Sequence, residues 1–248
     1  MNASTSALPK VSFIIPTKNE ASVIDTTLAS ISRYSGPHEI IITDGKSTDD
    51  TIALAGKYTD KIIIHQGEKR QTIAEGKNAG AAVATGDFLI FLDSDVVLGD
   101  PDAFVRKALG LFEKDADLLA LTVPLRVLPH EETYADWIMF HIVNCIYYFL
   151  NNVSGKGGAS GEFQLFRRST FKNYGGYNET LAVTEDQEIF WRMASKGKTR
   201  FELGLTAYHT GRRAHKVGWP KLIYQWVSNY FSALFFKRSS SAVWEEVR

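Results

Sequence analysis

Asp93-Ser94-Asp95 closes the apolar run Phe88-Leu89-Ile90-Phe91-Leu92. Carboxylates two residues apart in extended chain project to the same side. At the carboxyl end of a buried strand such a pair is costly unless something positive neutralises it. A divalent cation carrying a diphosphate suits that place, because Mg2+ takes one or two carboxylates and lets phosphates complete its shell. Other polar groups fall at comparable points. Pro16-Thr17-Lys18-Asn19-Glu20 follows Val11–Ile15, and Asp44-Gly45-Lys46-Ser47 follows Glu39–Thr43. Later come Glu185-Asp186 and the cluster His209-Thr210-Gly211-Arg212-Arg213. A carboxylate can serve as a general base, and guanidinium groups fit phosphate geometry.

These groups need elements to hold them. Strands are expected at 11–15, 39–43, 61–65 and 88–92, each a near-continuous apolar run. Helices are expected between them, at 21–31, from the Ser47-Thr48-Asp49-Asp50 cap to about Tyr58, and from the Thr72-Ile73-Ala74-Glu75 capping box to about Thr85. Such alternation means a parallel sheet covered on both faces, an α/β fold. Ligands of these sheets bind beyond the carboxyl ends of the strands, where the polar runs lie. No Gly-x-Gly-x-x-Gly or phosphate-loop lysine motif is present, which disfavours a dinucleotide-binding or P-loop enzyme. A helix is expected after Asp100-Pro101, then a strand at 118–123 and a helix over roughly 132–151. The glycine-rich stretch Gly155 to Gly161 leads into 162–168. Thr184-Glu185-Asp186-Gln187 has the pattern of a capping box, with Thr184 as N-cap, opening a helix to about Lys196.

The 248 residues carry 28 Lys+Arg and 28 Asp+Glu, so no basic field points to nucleic acid. Apolar residues make up 44% of the chain, enough for a full core. The single cysteine, Cys145, sits in an apolar segment and is expected to be a buried thiol. One cysteine excludes an internal disulfide, which fits a reducing, cytoplasmic setting. Residues 1–9 are small and polar, with no secretory h-region, and are expected to be flexible.

Taken in order, Pro16-Thr17-Lys18-Asn19-Glu20, Asp44-Gly45-Lys46-Ser47-Thr48-Asp49, Asp93-Ser94-Asp95, Gly175-Gly176-Tyr177-Asn178-Glu179 and Glu185-Asp186 resemble the family 2 glycosyltransferases. The resemblance covers residues 10–215. It implies a GT-A fold, a mostly parallel sheet flanked by helices, with a nucleotide-sugar half (10–100), an acceptor half (101–215) and a C-terminal helical extension (216–248). It implies inverting transfer of one sugar from a nucleoside-diphosphate sugar, a UDP-sugar before GDP-mannose, with Mn2+ or Mg2+. By the same resemblance Asp95 ligates the cation, Asp93 bonds the ribose or assists the metal, and His209 is a third metal ligand. Asp186 is the general base, with Glu185 orienting the base or the acceptor. Pro16, Thr17, Asn19, Glu20 and Asp44 border the base and ribose. Ser94, Arg70, Lys77 and Asn78 fall where the family contacts base or phosphates, and Arg212 and Arg213 would clamp the diphosphate. Local chemistry offers plainer readings: Asp44 as a turn residue, Glu20 as a helix-start acid, Lys77 as a surface helix residue. A Gln-x-x-Arg-Trp motif is absent, which favours a single addition over a processive synthase.

Two aromatic segments, 137–150 and 219–236, are shorter than or unlike a spanning helix. Three uses fit them: packing on the domain, a homodimer interface, or an interfacial surface at the cytoplasmic face of a membrane. The last suits a glycan acceptor linked to a lipid. Rival readings are a polyprenyl-phosphate sugar synthase, a nucleotidyltransferase and a non-catalytic nucleotide-sugar-binding protein.

Overall fold

The computed structural model describes residues 9–236. The expected flexible stretch 1–9 lies outside them but for its last residue, and so does the tail beyond Phe236. A seven-stranded sheet forms the centre, in the order β3-β2-β1-β4-β7-β5-β8. Its strands are β1 (Val11–Thr17), β2 (His38–Asp44), β3 (Ile62–Ile64), β4 (Phe88–Leu92), β5 (Leu118–Thr122), β7 (Phe163–Arg167) and β8 (Lys198–Phe201). All run parallel except β7, which pairs antiparallel with both β4 and β5. The expected α/β fold with a mostly parallel sheet is what the chain adopts.

The chain order reverses between β1 and β4. Strands β2 and β3 lie to one side of β1, and β4 starts the other side. That reversal opens a crevice beyond the carboxyl ends of β1 and β4. The runs after those strands, Pro16–Glu20 and Asp93–Asp95, therefore face one another. The crossovers are α1 (Ile24–Ile31), α2 (Thr51–Ala55), α3 (Ile73–Val83) and α4 (Pro101–Lys114). Helix α3 starts with the expected capping box: Glu75 N–H donates to Thr72 Oγ1, and Thr72 N–H donates to Glu75. It lies close on β1, since a Cβ on Gly80 would stand 2.4 Å from Ile14 Cγ2. That closeness carries Lys77 inward rather than to the surface.

Beyond β5 come β6 (Leu125–Val127), α5 (Tyr134–Tyr148) and a wider π-helical turn over Phe149–Val153. After β7 follow α6 (Arg168–Asn173), α7 (Glu185–Ala194), β9 (Ala207–His209), α8 (Arg212–Val217) and α9 (Trp219–Phe236). Strands β6 and β9 pair in a second, two-stranded sheet. Val97 and Tyr208 exchange backbone hydrogen bonds, which brings His209 to Arg212 beside Asp95. The buried Asp136 joins α5 to the C-terminal helices. It accepts from Thr133 Oγ1 and Trp219 Nε1 and bonds His215 Nε2 at 2.7 Å.

Three local expectations fail for identifiable reasons. Ser47 does not cap a helix, because its hydroxyl donates to Asp44 and α2 begins only at Thr51. Thr184 caps nothing through its side chain: it sits at φ 74 and turns the chain into α7 by backbone strain instead. Cys145 is exposed rather than buried, because α5 turns that face away from the domain.

Candidate functional site

Three residues at the loop after β1, the loop after β2 and the start of α7 lie in the left-handed region, Asn19 (φ 54), Lys46 (φ 63) and Thr184 (φ 74). Among the described residues no other non-glycine residue has positive φ, and strain of this kind gathers where geometry is over-determined by function. Asn19 Oδ1 accepts from Thr48 N–H, and Ser47 Oγ accepts from Asn19 N–H, which fasten the β1 and β2 loops together. Asp44 is fully buried and accepts from Thr17 Oγ1, Ser47 N–H and Ser47 Oγ. It anchors that turn, so direct contact with a base requires the 44–47 turn to open. Pro16 and Thr17 end β1 at the same edge, and Ser94 is buried, its carbonyl accepting from Thr27 Oγ1.

Four carboxylates and one ammonium meet at the centre. Lys77 has no exposed surface, and its Nζ lies 3.1 Å from Glu185 Oε1 and 5.0 Å from the centre of the Tyr177 ring. The surface-helix reading of Lys77 is therefore excluded. Asp93 and Asp186 complete its surroundings and hold the ammonium protonated against the cost of burial. Asp186 Oδ1 accepts from Gln187 N–H at 2.7 Å. Its other oxygen faces the space beside Gly161. A Cβ built there would lie 3.5 Å from Lys77 Nζ, 3.6 Å from Asp186 Oδ2 and 3.9 Å from Asp93 Oδ2. Three charged atoms thus converge on a space that glycine leaves open.

Burial pushes the Asp186 carboxyl well above the usual range; Glu185 adds to the shift and Lys77 opposes it. Burial likewise raises Asp93 against the pull of Lys77, with Glu162 and Asp95 adding to the rise. Glu162, which the sequence reading passed over, is raised by burial too and stands opposite Asp93 through the β4–β7 pairing. The second oxygen of Asp95 accepts from Thr210 Oγ1 and lies 3.4 Å from Arg212 Nε. Arg212 also pairs with Glu20 at 2.5 Å, and Glu20 is pushed up to about 7 by burial in spite of that partner.

Asp93 and Asp95 are the carboxylates that would hold a divalent cation: Asp95 adds to the rise of Asp93, while Asp95 itself is already engaged by Thr210 and Arg212. No group of three or more His, Cys, Asp or Glu side chains forms a ready-made cage among the described residues. His209 is buried at the same place, and its Nε2 finds no hydrogen-bond partner. Its Nδ1 accepts from Gly211 N–H, which leaves the proton of the neutral ring on Nε2. In that tautomer His209 is a donor near the acidic pair; ligation through Nε2 needs the proton to leave.

The remaining expected residues lie farther out. Asn78 spends its amide on the 175–179 loop, donating to Tyr177 O and Glu179 Oε1 and accepting from Tyr177 N–H. Arg70 is exposed on the loop before α3, and Arg213 is half-buried on α8. Gln164 and Gln187, also unforeseen, brace the start of α7: Gln164 Nε2 donates to Asp186 O, and Gln187 Nε2 donates to Tyr147 Oη and Ala159 O.

Gly161→Ala should separate chemistry from folding. The added methyl meets its neighbours at ordinary contact distances, and the backbone there is not left-handed. Unfolding free energy by urea titration should therefore change by less than about 1 kcal/mol. Turnover should fall by at least about tenfold, because the methyl occupies the space between Asp186 and Asp93.

Comparison with known proteins agrees with this geometry. The model of glycosyl transferase family 2 matches residues 12–175. A PGL/p-HBAD biosynthesis glycosyltransferase of Mycobacterium bovis is 30% identical over 191 residues, 74% of this chain and 69% of that protein. The O-antigen chain rhamnosyltransferase WbaN of Salmonella anatum is 27% identical over 84% of this chain and 67% of its own. Among solved structures, S. aureus TarS 1–349 with UDP-GlcNAc aligns with TM-score 0.63 at 20% identity, over 80% of this chain and 58% of TarS 1–349. The mannosyltransferase PcManGT of Pyrobaculum calidifontis, with GDP-Man and Mn2+, aligns with TM-score 0.69 at 18% identity, over 94% and 65%. This chain therefore spans about three-fifths of those two structures. It is an enzyme with the GT-A fold and belongs to glycosyl transferase family 2.

Proposed function

We propose that the chain is an inverting, Mn2+- or Mg2+-dependent glycosyltransferase that moves one sugar from a nucleoside diphosphate to an acceptor hydroxyl. A UDP-sugar is the favoured donor and GDP-mannose the next. The observation that carries this reading is the convergence of Asp186 Oδ2, Asp93 Oδ2 and Lys77 Nζ on the space beside Gly161. A carboxylate to act as base and a second carboxylate to help hold a cation, both bordering one open space, suit a single displacement. Asp186 takes the hydroxyl proton on Oδ2 as the acceptor oxygen bonds the anomeric carbon. The bond from that carbon to the diphosphate breaks on the opposite face, so the configuration inverts. A cation held by Asp93 and Asp95 would supply neutralisation of the leaving diphosphate. Arg212, already paired with Asp95 and Glu20, is the guanidinium that would donate N–H groups to a diphosphate oxygen. Glu185 stays paired with Lys77 and steadies the first turn of α7.

The names of related proteins are consistent with this class: UDP-GlcNAc accompanies TarS, and GDP-Man with Mn2+ accompanies PcManGT. Titration calorimetry with UDP, GDP and CMP, each with and without Mn2+, tests the donor site. One nucleotide should bind at least about tenfold more tightly with Mn2+, and Asp95→Asn should abolish that gain. Equal binding with and without the metal would sink the metal-dependent reading.

A further inference from the structure

We propose that the exposed faces of α5, its π-helical end and α9 form one docking surface for an anionic phospholipid bilayer. This goes beyond the transfer reaction and does not depend on it. Thirteen of the sixteen large apolar side chains exposed among the described residues lie on these two segments, and both segments pack on α7, through Tyr147 with Gln187 and Tyr230 with Trp191. On α5 the stripe is Ile142, Ile146, Phe149 and Val153, at helical spacing. The opposite side of the helix buries Asp136 and Phe140. An apolar groove runs along the exposed side past His141, Cys145 and Leu150. On α9 the stripe is Tyr224, Val227, Phe231 and Leu234, again one face. Leu222, Asn229 and Ala233 are buried on the other face, Tyr230 packs on Trp191 of α7, and Trp219 packs on Phe140 of α5.

Neither segment can cross a bilayer: no helix among the described residues is long and apolar enough to do so. Helices with one apolar and one anchored face lie in the interface plane instead. Tyr134 and Trp137, stacked at the start of α5, are amphipathic anchors of the type that interface favours.

Charge selects the occupant. Residues 137–161 and 203–236 contain no Asp or Glu, and the exposed Lys156, Lys216 and Lys221 lie next to the apolar segments in sequence; before them, Glu132 is paired with Arg126 and Asp136 is buried, which leaves Glu131 as the exposed acid at the start of α5. A second copy docking through the same patch would bring two basic rims together, because a two-fold interface repeats each patch. An anionic lipid surface complements the same rim.

The test is flotation of the full chain with phosphatidylcholine vesicles, with and without phosphatidylglycerol, alongside light scattering for mass. Binding should be stronger with phosphatidylglycerol and weaken with salt. The pairs Ile142→Glu with Ile146→Glu, and Val227→Glu with Phe231→Glu, should each lower it at least about tenfold. Lys216→Glu with Lys221→Glu should weaken binding to phosphatidylglycerol vesicles about tenfold or more and leave phosphatidylcholine untouched. Ile64→Glu with Val83→Glu, exposed apolar residues elsewhere, should change nothing. Unchanged thermal melts would show that the variants still fold; a variant that melts early is replaced by its Ser counterpart and read the same way. Three results overturn the proposal: no vesicle binding, equal binding to both vesicle types, or a dimer that Phe231→Glu dissociates while vesicle binding stays intact.

Discussion

Asp186→Asn should lower kcat by about 10²–10⁴-fold, the range a positioned base contributes, while metal-dependent nucleotide binding stays within about twofold. The amide keeps the shape and can still accept from Gln187 N–H, so little but the proton acceptor is lost. Stopped assays of sugar release and of acceptor glycosylation should fall together. The pH dependence carries a sign of its own. A base must be ionised to act, and burial raises Asp186, so its ionised fraction falls as pH falls through a value above the usual carboxylate range. The acid limb of kcat/KM should therefore lie well above that of a solvent-exposed carboxylate. The Asn variant should lose the part of that limb that belongs to Asp186, while Glu20, Asp93 and Glu162, also raised by burial, keep their own contributions. A full rate in Asp186→Asn would remove the base from the mechanism and move the role to Glu162 or Glu185.

Much of this arrangement was legible in the sequence, for a physical reason. Buried parallel strands must be apolar along their whole length, so the polar runs after Ile15, Thr43 and Leu92 stand out as strand ends. Strand ends in such a sheet share one crevice. The capping box at Thr72 and the Asp100-Pro101 start encode their helices locally, and both appear as expected. What the sequence hid depends on pairing between distant segments. Nothing local says that β7 inserts antiparallel between β4 and β5, yet that register alone sets Glu162 opposite Asp93. Nothing local says that Gly80 lets α3 close on β1 and sinks Lys77 into the acidic cluster. The same limit misled the reading of Thr184 and Ser47. Each fits a cap by type; Ser47 gives its hydroxyl to Asp44 instead, and Thr184 holds the N-cap position of α7 without a side-chain capping bond. Cys145 shows the reverse case: an apolar segment predicts core, and the fold turns that face of α5 outward.

Lys77→Met should destabilise the protein by about 3–5 kcal/mol in urea titration at neutral pH, the cost of leaving buried charge unpaired. Lys77 is fully buried and is the ammonium on which Glu185, Asp93 and Asp186 all depend. Met preserves much of the length and volume of the side chain, so the loss reports charge rather than a cavity. Removing the ammonium raises the carboxyls that it had pulled down, Asp186 and Asp93 among them. The folded variant then binds more protons than its unfolded chain, so its stability should increase as pH falls through those raised values and decrease as pH rises. The unmodified protein, whose buried carboxyls are already raised, has a slope of the same sign, so an overpacking or cavity effect would leave that slope unchanged whereas loss of the ammonium steepens it or carries it to higher pH. The double variant Lys77→Met with Glu185→Gln should recover part of the loss, because it removes one of the stranded charges. The coupling between the two sites should be about 1–3 kcal/mol in a double-mutant cycle. Zero coupling with a pH-independent loss would mean that Lys77 fills space, and that the acidic cluster is balanced by another group. Lys77→Arg should not rescue the site, since a guanidinium has no room where the ammonium already lies fully buried between Glu185 and the Tyr177 ring.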